Sequence, residues 1–207
     1  MVAPLLDVTE LSCRRGGRAV FERLSFGLGA GEVLALVGRN GSGKTTLLRS
    51  LALLVRPAAG RIAWQGADVA RDPETWRSRL AWLGHLDGLK ADLTVHENLV
   101  AAARLRGAVA DPAAIEAALD AFELRPLAHR AARTLSAGQR RRTALARVRA
   151  SGAAVWLLDE PLNALDAAAQ QALRDVLRQH LAAGGLALAS THVDLGLPGA
   201  RRLELGA

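Results

Sequence analysis

Gly38-Arg39-Asn40-Gly41-Ser42-Gly43-Lys44-Thr45-Thr46 follows the apolar run Val33–Val37 and precedes a helical pattern over residues 45–54. Strand, Gly-rich loop and helix in that order, with GxxxxGK[ST] spacing met at every position, is the context of a phosphate-binding loop. A helix start offers unpaired N–H groups and the positive end of a dipole to an anion. Glycines let the backbone curl where a Cβ would clash. Lys44 supplies a compact charge for β- and γ-phosphates, and Thr45 a hydroxyl for Mg²⁺. The chain has 27 basic residues, yet lysine occurs only at 44 and 90, which sets Lys44 apart. The plainer alternative, a Gly-rich turn before an ordinary helix, leaves that coincidence of spacing and context without a cause.

Outward from this loop, composition bounds the answer. The 207 residues, half of them apolar, make one domain with a sizeable core. No apolar run approaches the roughly 20 residues of a membrane span. Residues 1–10 lack a basic n-region and a long apolar h-region, so no signal peptide is expected. One cysteine, Cys13, excludes an intramolecular disulfide, fits a reducing compartment and is expected as a packed small residue. The net charge of +7 comes almost wholly from arginine, spread along the chain apart from Arg140-Arg141-Arg142. With no tyrosine and few aromatics, a base-stacking platform is not expected, and nucleic acid is not called as a partner. The arginines are expected on solvated faces, with an anionic membrane surface as second reading.

Alternation and turn residues predict strands at 5–11, 19–28, 32–37, 61–64, 80–83, 154–158, 186–190 and 201–205. Helical periodicity predicts helices at 45–54, from 73 to 79, in pieces over 94–124 broken near Gly107 and at Pro112, and at 136–150 and 167–181. Thr94 and Glu97 have the spacing of a capping box. The pattern predicts an α/β fold, a mostly parallel sheet core with a small antiparallel β part and a helical subdomain at about 86–135, in a single domain 1–207. Ligands of such sheets sit at the carboxyl ends of the strands. The phosphate loop, Asp159-Glu160 and Thr191-His192 all fall there.

Asp159 ends an apolar run, where a carboxylate can hold Mg²⁺ directly or through water. Glu160 follows and points differently, as a general base for an attacking water requires. Alone, that pair reads equally as an acidic turn before Pro161. Leu135-Ser136-Ala137-Gly138-Gln139 opens another helix, whose capping hydroxyl and free N–H groups make a second anion site.

At this point the chain resembles the ATP-binding subunits of ABC transporters. Residues 38–45 are similar to their Walker A loop, 155–160 to their Walker B strand and 135–139 to their signature motif. Ala164-Leu165-Asp166 is similar to their D-loop, and His192 to their switch histidine. The resemblance covers essentially the whole chain. It implies ATP and Mg²⁺, bound by residues 38–46 with Thr45 and Asp159 as metal ligands and Glu160 and His192 as catalytic residues. It further implies a head-to-tail dimer in which Ser136, Gly138, Gln139 and Asp166 act toward the nucleotide across the interface, and a membrane-embedded partner driven by the dimer. The family's usual Gln after the strand at 80–83 is replaced by His85, which is expected to act in the site with a pH-dependent contact. The usual adenine-stacking aromatic is missing near Arg14-Arg15, and Arg15 could stack in its place.

The runs Gly84-His85-Leu86-Asp87-Gly88-Leu89-Lys90 and Leu93-Thr94 with Glu97-Asn98-Leu99 resemble one subfamily, CcmA, the ATP-binding subunits of the cytochrome c maturation (haem exporter) system. That resemblance implies a CcmB-like permease, further cytochrome c maturation proteins as partners, and a peripheral place on the cytoplasmic face of the bacterial inner membrane. It also implies ATP hydrolysis coupled to haem export or to release of a haem-chaperone complex. Alternatives from other classes are another small exporter's ATPase and a soluble ABC ATPase of cofactor assembly. His96, His129 and His180 lack a haem-attachment context and read as ordinary helix or loop residues.

Overall fold

The fold is seen in a computed structural model that describes residues 4–105 and 110–206. The helix break expected near Gly107 lies outside the described residues. Strands β1 (Leu6–Arg15) and β2 (Arg18–Leu28) form a hairpin about Gly16-Gly17, both at positive φ. Strand β3 (Val33–Val37) then leads into the phosphate loop and helix α1 (Lys44–Leu51). Helix α1 stops before the expected residue 54 because Leu53 turns through the left-handed region. Strands β4 (Ala59–Trp64) and β5 (Ala67–Asp68) flank the turn at Gln65-Gly66; β5 is too short to have shown an alternation in the sequence. Helix α2 (Pro73–Ser78), capped by Asp72, precedes β6 (Leu80–Leu83). Helices α3 (Val95–Arg104), α4 (Pro112–Ala121) and α5 (Ala137–Ala150) follow, then β7 (Val155–Asp159), α6 (Ala167–Ala182), β8 (Leu186–Ser190) and β9 (Arg201–Glu204).

Two sheets result. One is antiparallel in the order β2-β1-β4-β5; the other is parallel in the order β6-β7-β8-β3-β9. The expected mostly parallel α/β core with a smaller antiparallel part is therefore what forms. Parallel strands covered on both faces read as unbroken apolar runs, and β7 and β8 are buried at every position. Along β3 the side chains alternate between two cores. Val33 and Ala35 join Leu145, Leu173 and Leu177 of α5 and α6, while Leu34 and Leu36 join Leu47, Leu48 and Leu51 of α1 and the antiparallel sheet. Cys13 packs in that second core, fully buried.

The start of α3 is built as its spacing predicts: Thr94 caps it and Glu97 returns the bond to the Thr94 N–H. Asn98 is buried one position on. Its side chain accepts from Lys90 N at 2.8 Å and donates to the carbonyls of Lys90, Leu93 and Thr94. Leu99 is core. The Glu97-Asn98-Leu99 triplet thus fixes a loop, a cap and a core contact in consecutive positions. Among the described residues no helix is long and apolar enough to cross a membrane.

Candidate functional site

The parallel sheet delivers the ends of β3, β7 and β8 side by side, and the site grows from those ends. After β3 the backbone turns through positive φ at Gly38, Gly41 and Gly43. A Cβ at Gly38 would collide with the Leu205 carbonyl and one at Gly43 with Val20 Cγ1, so these two glycines are required by approach as well as by conformation. Lys44 begins α1, nearly buried, and its Nζ donates to the carbonyls of Gly38 (2.7 Å) and Arg39 (3.1 Å). An ammonium at that spot is already desolvated and aimed into the loop's concavity. Ser42 Oγ is buried without a hydrogen-bond partner among the described residues. An orphaned hydroxyl amid a nest of N–H groups is what a phosphate oxygen would satisfy. Arg39, Asn40 and Gly41 lie on the outer side of the same loop, and Thr46 inside the first turn of α1.

Asp159, at the end of β7, is buried and meets Thr45 Oγ1 at 2.9 and 3.0 Å. Its Oδ1 also accepts from Ser190 Oγ at 2.6 Å. Thr45 and Asp159 lie 114 residues apart in sequence and touch in space. Hydroxyl and carboxylate oxygens are the hard donors Mg²⁺ prefers. Among the described residues no group of three or more His, Cys, Asp or Glu could hold a metal ion unaided. A cation there would complete its shell from phosphate and water, the usual habit of Mg²⁺.

Glu160 is next. Its φ of 48° is the left-handed conformation, in a residue that also precedes a proline. Such a backbone costs on the order of 1–3 kcal/mol and persists where its surroundings hold it. The holds are visible. Glu160 N–H donates to Ser190 O (3.2 Å) and Ser190 Oγ (2.9 Å), and its carbonyl accepts from Arg141 Nη2 at 2.6 Å. The carboxylate, 18% exposed, lies 3.1 Å from His192 Nε2. His192 sits past β8 in a tight turn made by Thr191 Oγ1 and Val193. A cavity of about 760 Å³ opens beside these groups, lined by Gly38, Arg39, Thr191, His192, Asp194 and Arg202 among others.

The second anion site forms at a distance along the chain. Ser136 caps α5 by accepting from Gln139 N, and Gln139 returns the bond to the Ser136 N–H. Gly138 lies close under the next loop: a Cβ there would stand 3.3 Å from the Ala164 carbonyl, a tight contact. Asp166 accepts from Ala169 N at 2.8 Å as the cap of α6, so its carboxylate already has a job within its own chain. None of these side chains makes a hydrogen bond to the phosphate loop of the same chain among the described residues. His85 follows β6, exposed, and its ring makes no hydrogen bond to Thr45, Asp159, Glu160 or His192. Arg15 is exposed at the end of β1.

Three residues of consequence escaped the sequence reading. Ser190 joins Asp159 to the Glu160 backbone; a serine closing an apolar strand gave no signal of that. The sequence pattern places Arg141 and Arg147 among the solvated arginines. Instead Arg141 is 5% exposed, and Arg147 donates to the carbonyls of Asp87 (3.0 Å) and Gly88 (2.5 Å). Burial pulls the Arg147 guanidinium below its ordinary range, partly offset by Asp87. The only signal was helical, and for Arg141 alone: position 141 shares a face of α5 with core residues 144 and 148.

The match to known proteins agrees with this geometry. Residues 21–163 match the family model described as ABC transporter. The chain is 52% identical over 196 residues to the cytochrome c biogenesis ATP-binding export protein CcmA of Rhodospirillum rubrum, covering 95% of this chain and 83% of that one. It is 51% identical to the protein of the same description from Paramagnetospirillum magneticum, covering 94% and 91%. Among solved structures, an ATP-binding subunit of an ABC transporter superposes with a TM-score of 0.84 at 30% identity, covering 91% of this chain and 80% of that chain. An ABC transporter ATP-binding protein from Pyrococcus furiosus gives 0.85 at 26% identity, covering 97% and 96%.

Proposed function

The chain belongs to the ABC transporter family of ATP-binding proteins, and from that premise we propose that it is the ATP-hydrolysing subunit of an export complex in c-type cytochrome biogenesis. As an ABC ATPase it binds ATP, dimerises and works on a membrane permease. The observation that carries this proposal is the convergence of the Thr45–Asp159 contact and the Glu160–His192 contact beside the phosphate loop.

In this reading the loop N–H groups and Lys44 hold the β- and γ-phosphates, and Thr45 and Asp159 hold Mg²⁺. The ion, when bound, offsets phosphate charge. Glu160 accepts a proton from the attacking water, a contribution on the order of 10²–10⁴ in rate. His192 keeps the Glu160 carboxylate aimed and reaches toward the γ-phosphate. Ser136, Gly138 and Gln139 of a second copy close the site head to tail, which explains why they stand apart from the loop of their own chain. ATP then favours the closed dimer, hydrolysis releases it, and a CcmB-like permease on the inner membrane reads the change. The cargo is haem, or a haem-chaperone complex that the cycle releases.

The test is a haem-stained gel of a deletion strain. Covalently attached haem in c-type cytochromes should disappear, return with the wild-type gene, and fail to return with Glu160→Gln. Undiminished bands in the deletion strain would remove the cytochrome assignment and leave an ABC ATPase with another cargo.

A further inference from the structure

We propose that Arg141 is a positioning residue for hydrolysis: from inside the protein it fixes the strand end that aims Glu160 and ties it to the loop over residues 84–90. The inference rests on Glu160 acting as the base.

The geometry is specific. Arg141 Nη2 donates to the carbonyls of Asp159 (2.9 Å) and Glu160 (2.6 Å), while Nη1 donates to the Gly84 carbonyl (3.1 Å) and to Asp87 Oδ1 (3.2 Å). Successive carbonyls of an extended strand point opposite ways. These two converge on one nitrogen because the chain turns through the left-handed region at Glu160. The guanidinium is therefore complementary to the unusual conformation, and a straight strand end would forfeit one of the two bonds. The Glu160 peptide is held at both ends, its N–H by Ser190 on β8 and its carbonyl by Arg141 on α5.

The same fork reaches the other way. Gly84 and Asp87 belong to the loop after β6, whose next residues are held by Arg147 from the same helix. Ser136 caps helix α5, so a single element joins the signature cap, the 84–90 loop and the base. A displacement of that loop pulls on the same guanidinium that holds Glu160. Lysine cannot replace it: one ammonium has three donors about a single nitrogen and cannot span both pairs of acceptors. Asp87 is the carboxylate that faces this buried guanidinium, so it offsets its charge as well as accepting its bond.

The experiment is a double-mutant cycle on the purified full chain, reading single-turnover hydrolysis and ATP affinity separately. Arg141→Lys should slow hydrolysis by at least about tenfold and leave ATP affinity within about threefold. Added to Glu160→Gln it should cause almost no further loss, because a group that acts through the base has nothing left to aim. If Lys at 141 lowers the yield of folded protein, Arg141→Met, which keeps an apolar stem and loses every donor to the two strand-end carbonyls, reads the same contrast. Wild-type turnover by the 141 variants would overturn the proposal. So would a loss that multiplies undiminished on the Glu160→Gln background, or a loss of ATP binding in step with hydrolysis, since both mark a general structural defect. Normal turnover by Glu160→Gln alone is a different failure: it removes the base assignment itself.

Discussion

At the scale of single residues, this site is a set of backbone conformations that few side chains tolerate, each held by a named partner. Lys44 is aimed by loop carbonyls. Replacing it with alanine removes a charge-assisted contact worth about 1.5–3 kcal/mol, so ATP binding should weaken by roughly 10–150-fold, measurable by calorimetry. Glu160→Gln should keep binding and lower turnover by about 10²–10⁴, measured as released phosphate. His85 is exposed and makes no hydrogen bond to the side chains of the site, so His85→Gln should leave ATP binding intact by the same calorimetry. One histidine away from the chemistry links stability to pH. His180 stacks on Trp156 at 3.9 Å, its Nε2 lies 3.2 Å from the Leu186 carbonyl, and burial holds its pKa below the ordinary value despite that bond. The unfolded chain therefore binds the proton first. Stability should fall as pH drops below about 6.5 and level off below the folded-state value. His180→Gln should flatten that slope in urea melts compared between pH 5.5 and 7.5.

At the scale of elements, legibility followed locality. The phosphate loop could be read because strand, glycines and helix are contiguous, and the caps at Thr94 and Ser136 because a capping box spans four residues. The buried strands could be read because both faces are apolar. What resisted was contact between distant elements: Arg141 on α5 looked like one of three solvated arginines until its acceptors on β7 and the 84–90 loop were placed. Asn98 was legible only as part of a family pattern, whereas its four hydrogen bonds pin the Lys90 segment. Asp166 shows the converse, a residue expected to act across an interface that also caps its own helix. These caps give a direct prediction. Thr94→Ala removes the α3 cap and should cost about 1 kcal/mol, lowering the melting temperature by roughly 2–4 °C. Thr94→Ser should restore most of it.

For the molecule as a whole, the sheet order governs more than where the site lies. Strand β3, which launches the phosphate loop, sits between β8 and β9, and Leu34 pairs with Leu188 and Arg201. The β1–β2 hairpin can close from neighbouring residues in microseconds, but β3 has no lateral partner until segments roughly 150 residues later have been made. At ribosomal rates of about 5–20 residues per second, the nucleotide loop exists for about 8–30 s as chain without a seat. A nascent chain stalled before β8 should therefore fail to bind ATP, although every residue of the phosphate loop has emerged, and release of β8 and β9 should switch binding on in one step. The order of strands makes synthesis itself a timer: this ATPase gains its substrate site only after the rest of its machinery has been made.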